Sequence, residues 1–186
     1  FQDRRTEAVT TTMSWTLEAE KEKQWAIGAV PVKPATGSSI GLDAVTSAQT
    51  LSPPPATSLT WSHTVGTGSD RILIVCVSYG GGKNPSVSSV TYGGTGLSRV
   101  DSVGKGKAAV AIYQLVMGDA TEPGTAEVVV TMEKNADIVC GAMSFTGVDQ
   151  STPLGTFVGA SRKSTTVAVD VTPGAGDLVI DTVCAA

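Results

Sequence analysis

The stretch MSWTLEAEKEKQWAIGAVPVKP, residues 13–34, decides how the rest of the chain is interpreted. Its apolar residues fall at every second position in two short runs, Met13, Trp15 and Leu17 before a charged segment and Trp25, Ile27 and Ala29 after it. Period-two alternation is typical of β-strands, and a polar bend between two such strands predicts a β-hairpin. Because an isolated hairpin is marginally stable in water, we expect this one to lie against a larger sheet.

The composition is that of a globular β-protein. The chain has 186 residues, of which 41% are hydrophobic and 16% are charged, enough for one domain with a substantial core. Glycine is frequent, with 21 residues, and helical periodicity is rare, which favours short strands and tight turns. We therefore predict an all-β fold, an antiparallel jelly-roll-like β-sandwich of about ten short strands plus the N-terminal hairpin.

The chain divides into two parts at a linker that contains Pro34 and Gly37. We expect residues 1–35 to form a strand segment that lies against a larger sheet, and residues 36–186 to form the body of the β-sandwich. Within the body, the near-continuous apolar run RILIVCVSY at 71–79 predicts a central strand. Two further strands, 126–132 and 137–145, are predicted to form a hairpin around the polar residues between them.

Charge and hydropathy argue against two classes of partner. The net charge is −4, and no cluster of Lys and Arg lies near stacked aromatic residues, so no nucleic-acid partner is expected. No run approaches the roughly 20 apolar residues that span a bilayer, so no membrane partner is expected either. The chain begins at Phe1 and ends inside the apolar run DLVIDTVCAA, so we expect both ends to be processed or excised.

Three cysteines, Cys76, Cys140 and Cys184, each lie in an apolar, strand-like run. Buried free thiols are favoured because Cys is among the most buried residue types. The alternative is one disulfide between neighbouring strands, Cys76 with Cys140. Their spacing matches no zinc motif.

Patterns that would carry catalysis or bind a cofactor are weak. The single histidine, His63, follows Ser62 in a strand, where adjacent side chains point to opposite faces. We expect neither an enzyme nor a cofactor. A structural calcium site stays open, built from loop residues among Asp70, Asp119 and Asp149.

Four stretches resemble a β-sandwich module found, often in tandem, in large secreted and surface proteins of bacteria and archaea. They are SLTWSHTVGTGSDRILIVCVSY, SSVTYGG, GAMSFTGVDQSTPLG and PGAGDLVIDTV, and the likeness covers most of residues 38–186. The resemblance implies that a strand like GDLVIDTV is followed by a loop and then by a hairpin like TMSWTLEAEKEKQWAIGAVPVKPA, which ends the module. Here the hairpin comes first, so the resemblance implies a chain cut out of register with its modules.

The displaced hairpin predicts assembly by strand donation. A body without its last strands has open sheet edges, and such edges recruit strands from other chains. If residues 1–35 of one subunit fill the groove of the next, the contact is head-to-tail and generates a filament. We expect a structural, pilin-like subunit of an extracellular surface filament, a homopolymer held by the donated anchors Met13, Trp15, Leu17, Trp25, Ile27 and Ala29.

Three alternatives stay open. Residues 1–35 could pair within their own chain, as in a circular permutation, or the chain could be one unit of a covalent tandem array. The third alternative, from another functional class, is a carbohydrate-binding or adhesive module of a larger secreted protein, with surface glycans as partners. Its candidate sugar-stacking residues are Trp15, Trp25, Trp61, Tyr79, Tyr92 and Tyr113.

Overall fold

The computed structural model describes residues 9–16, 22–50, 55–81, 84–105 and 107–186. Within these residues there are thirteen β-strands and no helix, so none that could cross a membrane. The strands are β1 (Thr11–Thr16), β2 (Lys23–Val32), β3 (Gly41–Thr50), β4 (Ala56–Val65), β5 (Gly68–Gly80), β6 (Val87–Tyr92), β7 (Thr95–Gly96), β8 (Ser98–Lys105), β9 (Ala108–Ala120), β10 (Gly124–Thr146), β11 (Val158–Ser164), β12 (Thr166–Val171) and β13 (Leu178–Ala185).

The strands pair antiparallel in three sheets. The largest has eight strands and is built around the order β7-β6-β10-β5-β9-β8, with β3 and β4 also paired to β10. A second sheet has the order β11-β2-β13, and β1 pairs with β12 in the third. The prediction of an all-β, antiparallel fold is therefore confirmed.

The 23-residue strand β10 organises the large sheet. Its first part pairs with β4 and β6, and its second part pairs with β3 and β5. Residues of both parts, Val128 and Ile138 among them, pack in one core, so the sheet folds over on itself. The predicted hairpin of residues 126–132 and 137–145 is wrong, because residues 133–136 continue one strand at the point where it changes partners. The register shifts there between Thr131 and Ala136.

Strand β5 explains the near-continuous apolar run. It lies between β9 and β10, and its residues 72–77 are all buried. Leu73 and Val75 face the core inside the folded sheet, whereas Ile72 and Ile74 face a second core shared with Val30 of β2. A strand covered on both faces needs apolar residues at every position. The sequence-based prediction of a central strand is thus confirmed.

Three cores separate four layers of sheet. The first core lies inside the folded sheet, the second between that sheet and the β11-β2-β13 sheet, and the third between the latter and the β1-β12 pair. The β11-β2-β13 sheet is therefore covered on both sides. Its middle strand, β2, supplies residues to both of the outer cores.

The hairpin predicted for residues 13–34 is wrong. β1 pairs with β12, whereas β2 pairs with β11 and β13, so the two strands lie in different sheets. Alternation of apolar residues specifies that a segment is a strand, but it does not specify the strand beside it. The partners of both strands come from residues 158–185, more than a hundred residues away in sequence.

The layered arrangement predicts that neighbouring residues of β5 are equally sensitive to truncation. Leu73→Ala and Ile74→Ala should each lower the free energy of unfolding by about 2–5 kcal/mol, because both side chains are fully buried in different cores. Val45→Ala on β3, whose side chain is 58% exposed, should change it by less than about 0.5 kcal/mol. Urea unfolding of the three variants measures these free energies. An Ile74→Ala variant as stable as the parent chain would contradict the burial of Ile74 in the second core.

Candidate functional site

The predicted donor segment holds the most enclosed strand outside the large sheet. β2 lies between β11 and β13, with Ile27 opposite Ala160 on one side and Val183 on the other. Both backbone edges of β2 are therefore paired, and residues 25–32 are buried. β2 therefore occupies a slot with a strand edge on either side, the large sheet over one face and the β1-β12 pair over the other.

The side chains of β2 alternate between two cores. Trp25, Ile27 and Ala29 are fully buried and pack with β12 residues such as Val169. The Arg162 guanidinium lies 5.3 Å from the centroid of the Trp25 ring, within the range of a cation–π contact. These three predicted anchors are thus all core residues of the slot.

The anchors predicted in β1 are held more loosely. Met13 is half-buried and packs on the third core, whereas Trp15 is 53% exposed. The Trp15 Nε1 donates to Asp181 Oδ2 at 2.8 Å, which joins β1 to β13. Thr12 Oγ1 donates to Asp170 Oδ1 at 2.6 Å. Leu17, the sixth predicted anchor, lies outside the described residues.

The end of the segment is fixed to the body by backbone hydrogen bonds. Lys33 N donates to Pro153 O at 2.8 Å, and Ala35 N donates to Gly147 O at 2.9 Å. Asp149 N donates back to Lys33 O at 3.0 Å. The loop 147–155 therefore extends the slot to Ala35.

Sequence reasoning missed most of the walls of this slot. It identified residues 177–184 as a strand but did not place them beside β2, and it connected neither Arg162 nor Asp181 with the tryptophans of the segment. The charged residues of β11 carry no local signal of a partner, because the pairing joins positions far apart in sequence. Only the shared period-two pattern of the three strands could have suggested that they belong to one sheet.

A polar cluster lies inside the folded sheet, around His63. Trp61 Nε1 donates to Thr46 Oγ1 at 3.0 Å, and Thr46 Oγ1 lies 2.8 Å from His63 Nδ1. His63 Nε2 lies 3.3 Å from Ser144 Oγ, which donates to Asp43 Oδ2 at 2.7 Å. The cluster joins β4 to β3 and β10 and so ties together the two halves of the sheet.

The direction of this hydrogen-bond chain places a proton on His63 Nε2, and burial favours the neutral form of the imidazole. An indole N–H can only donate, and the one hydroxyl proton of Ser144 goes to the Asp43 carboxylate. His63 Nε2 therefore donates to Ser144 Oγ, and in the neutral imidazole Nδ1 accepts from Thr46 Oγ1. Burial lowers the pKa of His63, and the nearby Asp43 carboxylate only partly opposes that effect.

The same geometry limits what the cluster does chemically. His63 and Ser144 are buried, with exposed fractions of 1% and 0%. The Ser144 hydroxyl donates its hydrogen bond to Asp43 rather than to His63, so the histidine is not placed to take the Ser144 proton as a base. The arrangement satisfies buried polar groups, which is a structural role.

The cysteines are free thiols within the described part of the chain. Cys140 is opposite Val77 and Cys76 is opposite Gly141, and the two thiols pack in different cores on opposite faces of the sheet. The alternative of a Cys76–Cys140 disulfide is therefore wrong. Burial raises the pKa of Cys76 to about 12 and raises that of Cys140 as well, so both stay protonated.

The residues considered for sugar stacking do not form an exposed platform. Trp25, Tyr79, Tyr92 and Tyr113 are buried and Trp61 is half-buried, which leaves Trp15 as the exposed ring among the six candidates. Sugar binding stays a prediction, without a set of stacked aromatic residues to carry it.

Two of the three candidate calcium ligands accept hydrogen bonds from backbone N–H groups. Asp119 Oδ1 accepts a hydrogen bond from Asp70 N, and Asp149 Oδ1 accepts from the backbone N–H groups of Ser151 and Thr152. No three His, Cys, Asp or Glu residues of the described ranges converge as a metal site.

Comparison with known proteins returns no match: no family model, no curated protein and no solved structure is similar to this chain. What the structure establishes is an all-β chain with several antiparallel sheets, and the resemblance to a tandem surface module stays a prediction.

The buried neutral His63 predicts a pH-dependent stability. Its folded pKa is below the value of about 6.5 expected in the unfolded chain, so the unfolded state binds more protons between the two values. The free energy of unfolding should therefore fall as the pH drops from about 7.5 to about 5.5. Urea unfolding at several pH values measures the slope. In His63→Gln the slope over this range should be smaller, and an unchanged slope would contradict the assignment.

Proposed function

We propose that this chain is a structural subunit of a pilus-like filament on the cell surface, in which residues 1–35 of one copy complete the sheets of the next. One observation carries the proposal. β2 is the middle strand of its sheet, and the two strands beside it, β11 and β13, both come from the other end of the chain. The body thus depends on the segment for a whole central strand.

Leaving the slot empty would be costly for the body. The side chains of Trp25, Ile27, Val30 and Val32 are fully buried, and each contributes roughly 1.5–3 kcal/mol by transfer from water. Without β2, one backbone edge of β11 and one of β13 would also be unpaired, and such edges recruit other strands. A body whose segment is displaced therefore binds the segment of another copy.

Exchange between copies reuses the same contacts. In the single chain β2 fills its own slot, and β2 of a second copy would meet identical walls. Because the segment is joined to its body by a linker, each subunit can donate one segment and accept another. Such a contact is head-to-tail and does not close on itself, which produces a filament rather than a dimer.

The linker residues 36–40 are the point at which the two arrangements differ. Ala35 is bound to Gly147, and Gly41 pairs with Thr146, so both ends of the linker are held near one corner. Between them Ser38 N donates to Ala35 O at 2.9 Å, and Gly37 has a φ of 78°. This turn directs the segment back to its own body, and an extended linker would carry it to a neighbour.

The likeness to tandem modules of secreted and surface proteins supports a location outside the cell and a jelly-roll-like body. It also supports a structural rather than a catalytic role. His63 and Ser144 are buried, and the buried thiols of Cys76 and Cys140 are protonated, which agrees with a subunit that acts through its strands.

A disulfide across the joint tests the proposal. Lys23 and Ser164 are paired positions on β2 and β11, and antiparallel partners have Cα separations of about 4.5–5.5 Å, which suit a disulfide. In the variant Lys23→Cys with Ser164→Cys, exchange between copies should give a ladder of covalent multimers on a non-reducing gel. Light scattering and electron microscopy of the same sample should show fibres.

The reduced sample and each single cysteine variant are the controls. A cross-linked species that runs as a monomer, from a solution of compact monomers, would sink the filament proposal. That result would establish pairing within one chain.

The linker turn gives a second test. Gly37→Pro fixes φ near −65° where the turn needs a positive value, and nothing lies within 4 Å of a side chain added at this position. The turn should open, so the share of intermolecular joints should rise, as measured by light scattering and the cross-linking ladder. Ser38→Ala, which keeps the turn, should behave like the parent chain. A variant that stays monomeric would contradict the role of the turn.

A further inference from the structure

On the face of β2 that lies against the large sheet, the side chains become smaller towards the start of the strand. Val30 and Val32 pack in the second core, where Ile72 and Ile74 also lie. Further back along the strand the spaces are smaller, and the residues are Gly28 and then Ala26. The slot is thus roomy at one end and tight at the other.

The Phe157 ring makes the slot tight at Gly28. A Cβ atom at position 28 would lie 2.7 Å from both Cε2 and Cζ of Phe157, and 3.3 Å from Val110 Cγ2. Gly28 is not among the residues with positive φ, so its backbone does not itself require glycine. The residue is small because the ring occupies the space of a side chain.

The ring covers a pair of glycines on adjacent strands. Gly159 of β11 is directly opposite Gly28, and a Cβ there would lie 2.9 Å from Phe157 Cε1 and 2.8 Å from Val103 Cγ1. An aromatic ring over strand glycines shields backbone that lacks side-chain cover. Phe157 therefore fits against these two strands only when a glycine of β2 stands beside Gly159.

The next position towards the start of β2 is tight as well. A Cβ atom at Gly104 of β8 would lie 2.9 Å from the Ala26 methyl group, so Ala26 already packs against bare backbone. A slip that keeps the same face inward moves the strand by two residues. One direction brings Val30 under the ring, and the other brings Ala26 under the ring and Gln24 against Gly104. Both directions collide.

We propose that this narrowing slot selects its strand by size, accepting one with Ala, Gly and Val at alternating positions. The partner that fits is β2 of a second copy of this chain. The pattern Ala-x-Gly-x-Val occurs at residues 26–30 and at no other position of the sequence. The inference that the slot selects β2 of another copy rests on the proposed function. The inference that the slot sets the register of β2 holds whether β2 pairs within its own chain or with a second copy.

The test is Gly28→Ala, made in the chain that carries Lys23→Cys and Ser164→Cys. The added methyl group should displace β2, so the disulfide should form about tenfold more slowly and the fibres should be shorter. In a Phe157→Ala background the same change should have little effect, because the ring is gone. Gly141→Ala is the matched control, since a Cβ at this strand glycine has its nearest neighbour 3.9 Å away.

Two results would overturn the inference. One is a Gly28→Ala variant that forms the disulfide as fast as the parent chain. The other is an equal slowing of disulfide formation by Gly28→Ala with Phe157 present and with Phe157→Ala. The urea unfolding midpoints of the same variants test the register rule independently of the filament proposal. If the parent chain is monomeric, the filament proposal fails. A midpoint lowered by Gly28→Ala only when Phe157 is present would then still establish the register rule within one chain.

Discussion

The insertion of β2 between β11 and β13 is the constraint on which the outer half of the molecule depends. Backbone N–H and C=O groups that are buried must be paired, and β2 is paired along both edges while its faces fill two cores. Removing it would separate β11 from β13 and open both cores at once. No other strand of this sheet has such a double role, because β11 and β13 lie at its edges.

Because of this constraint, the proposed assembly depends on the conformation of the linker. The walls of the slot are the same whether β2 comes from its own chain or from another, so their contacts favour neither arrangement. What differs is the conformation of residues 36–40 and the concentration of neighbouring copies. If copies exchange β2 as proposed, the turn at Ser38 and Gly37 decides between the two arrangements, because the buried anchors make the same contacts in both.

Two sets of contacts restrict how the strands of the slot and of the large sheet can pack. Phe157 and the glycines beside it restrict the register of β2 by volume, because a slip places a side chain where the ring lies. The His63 cluster joins the halves of the folded sheet through hydrogen bonds of the imidazole with Thr46 and Ser144 and of Ser144 with Asp43. Both act through close packing of groups that are distant in sequence, which makes misplaced strands costly.

The sequence by itself determined the all-β fold class, the strand character of the segment that holds β1 and β2, and the burial of β5 on both faces. Each of these follows from local alternation or from its absence, as in the runs around Trp25 and Ile74. The tertiary structure alone decided the partners: β1 and β2 separate into different sheets, and β10 is one strand rather than a hairpin. A period-two pattern records how many faces of a strand are buried, whereas pairing depends on edges brought together across more than a hundred residues.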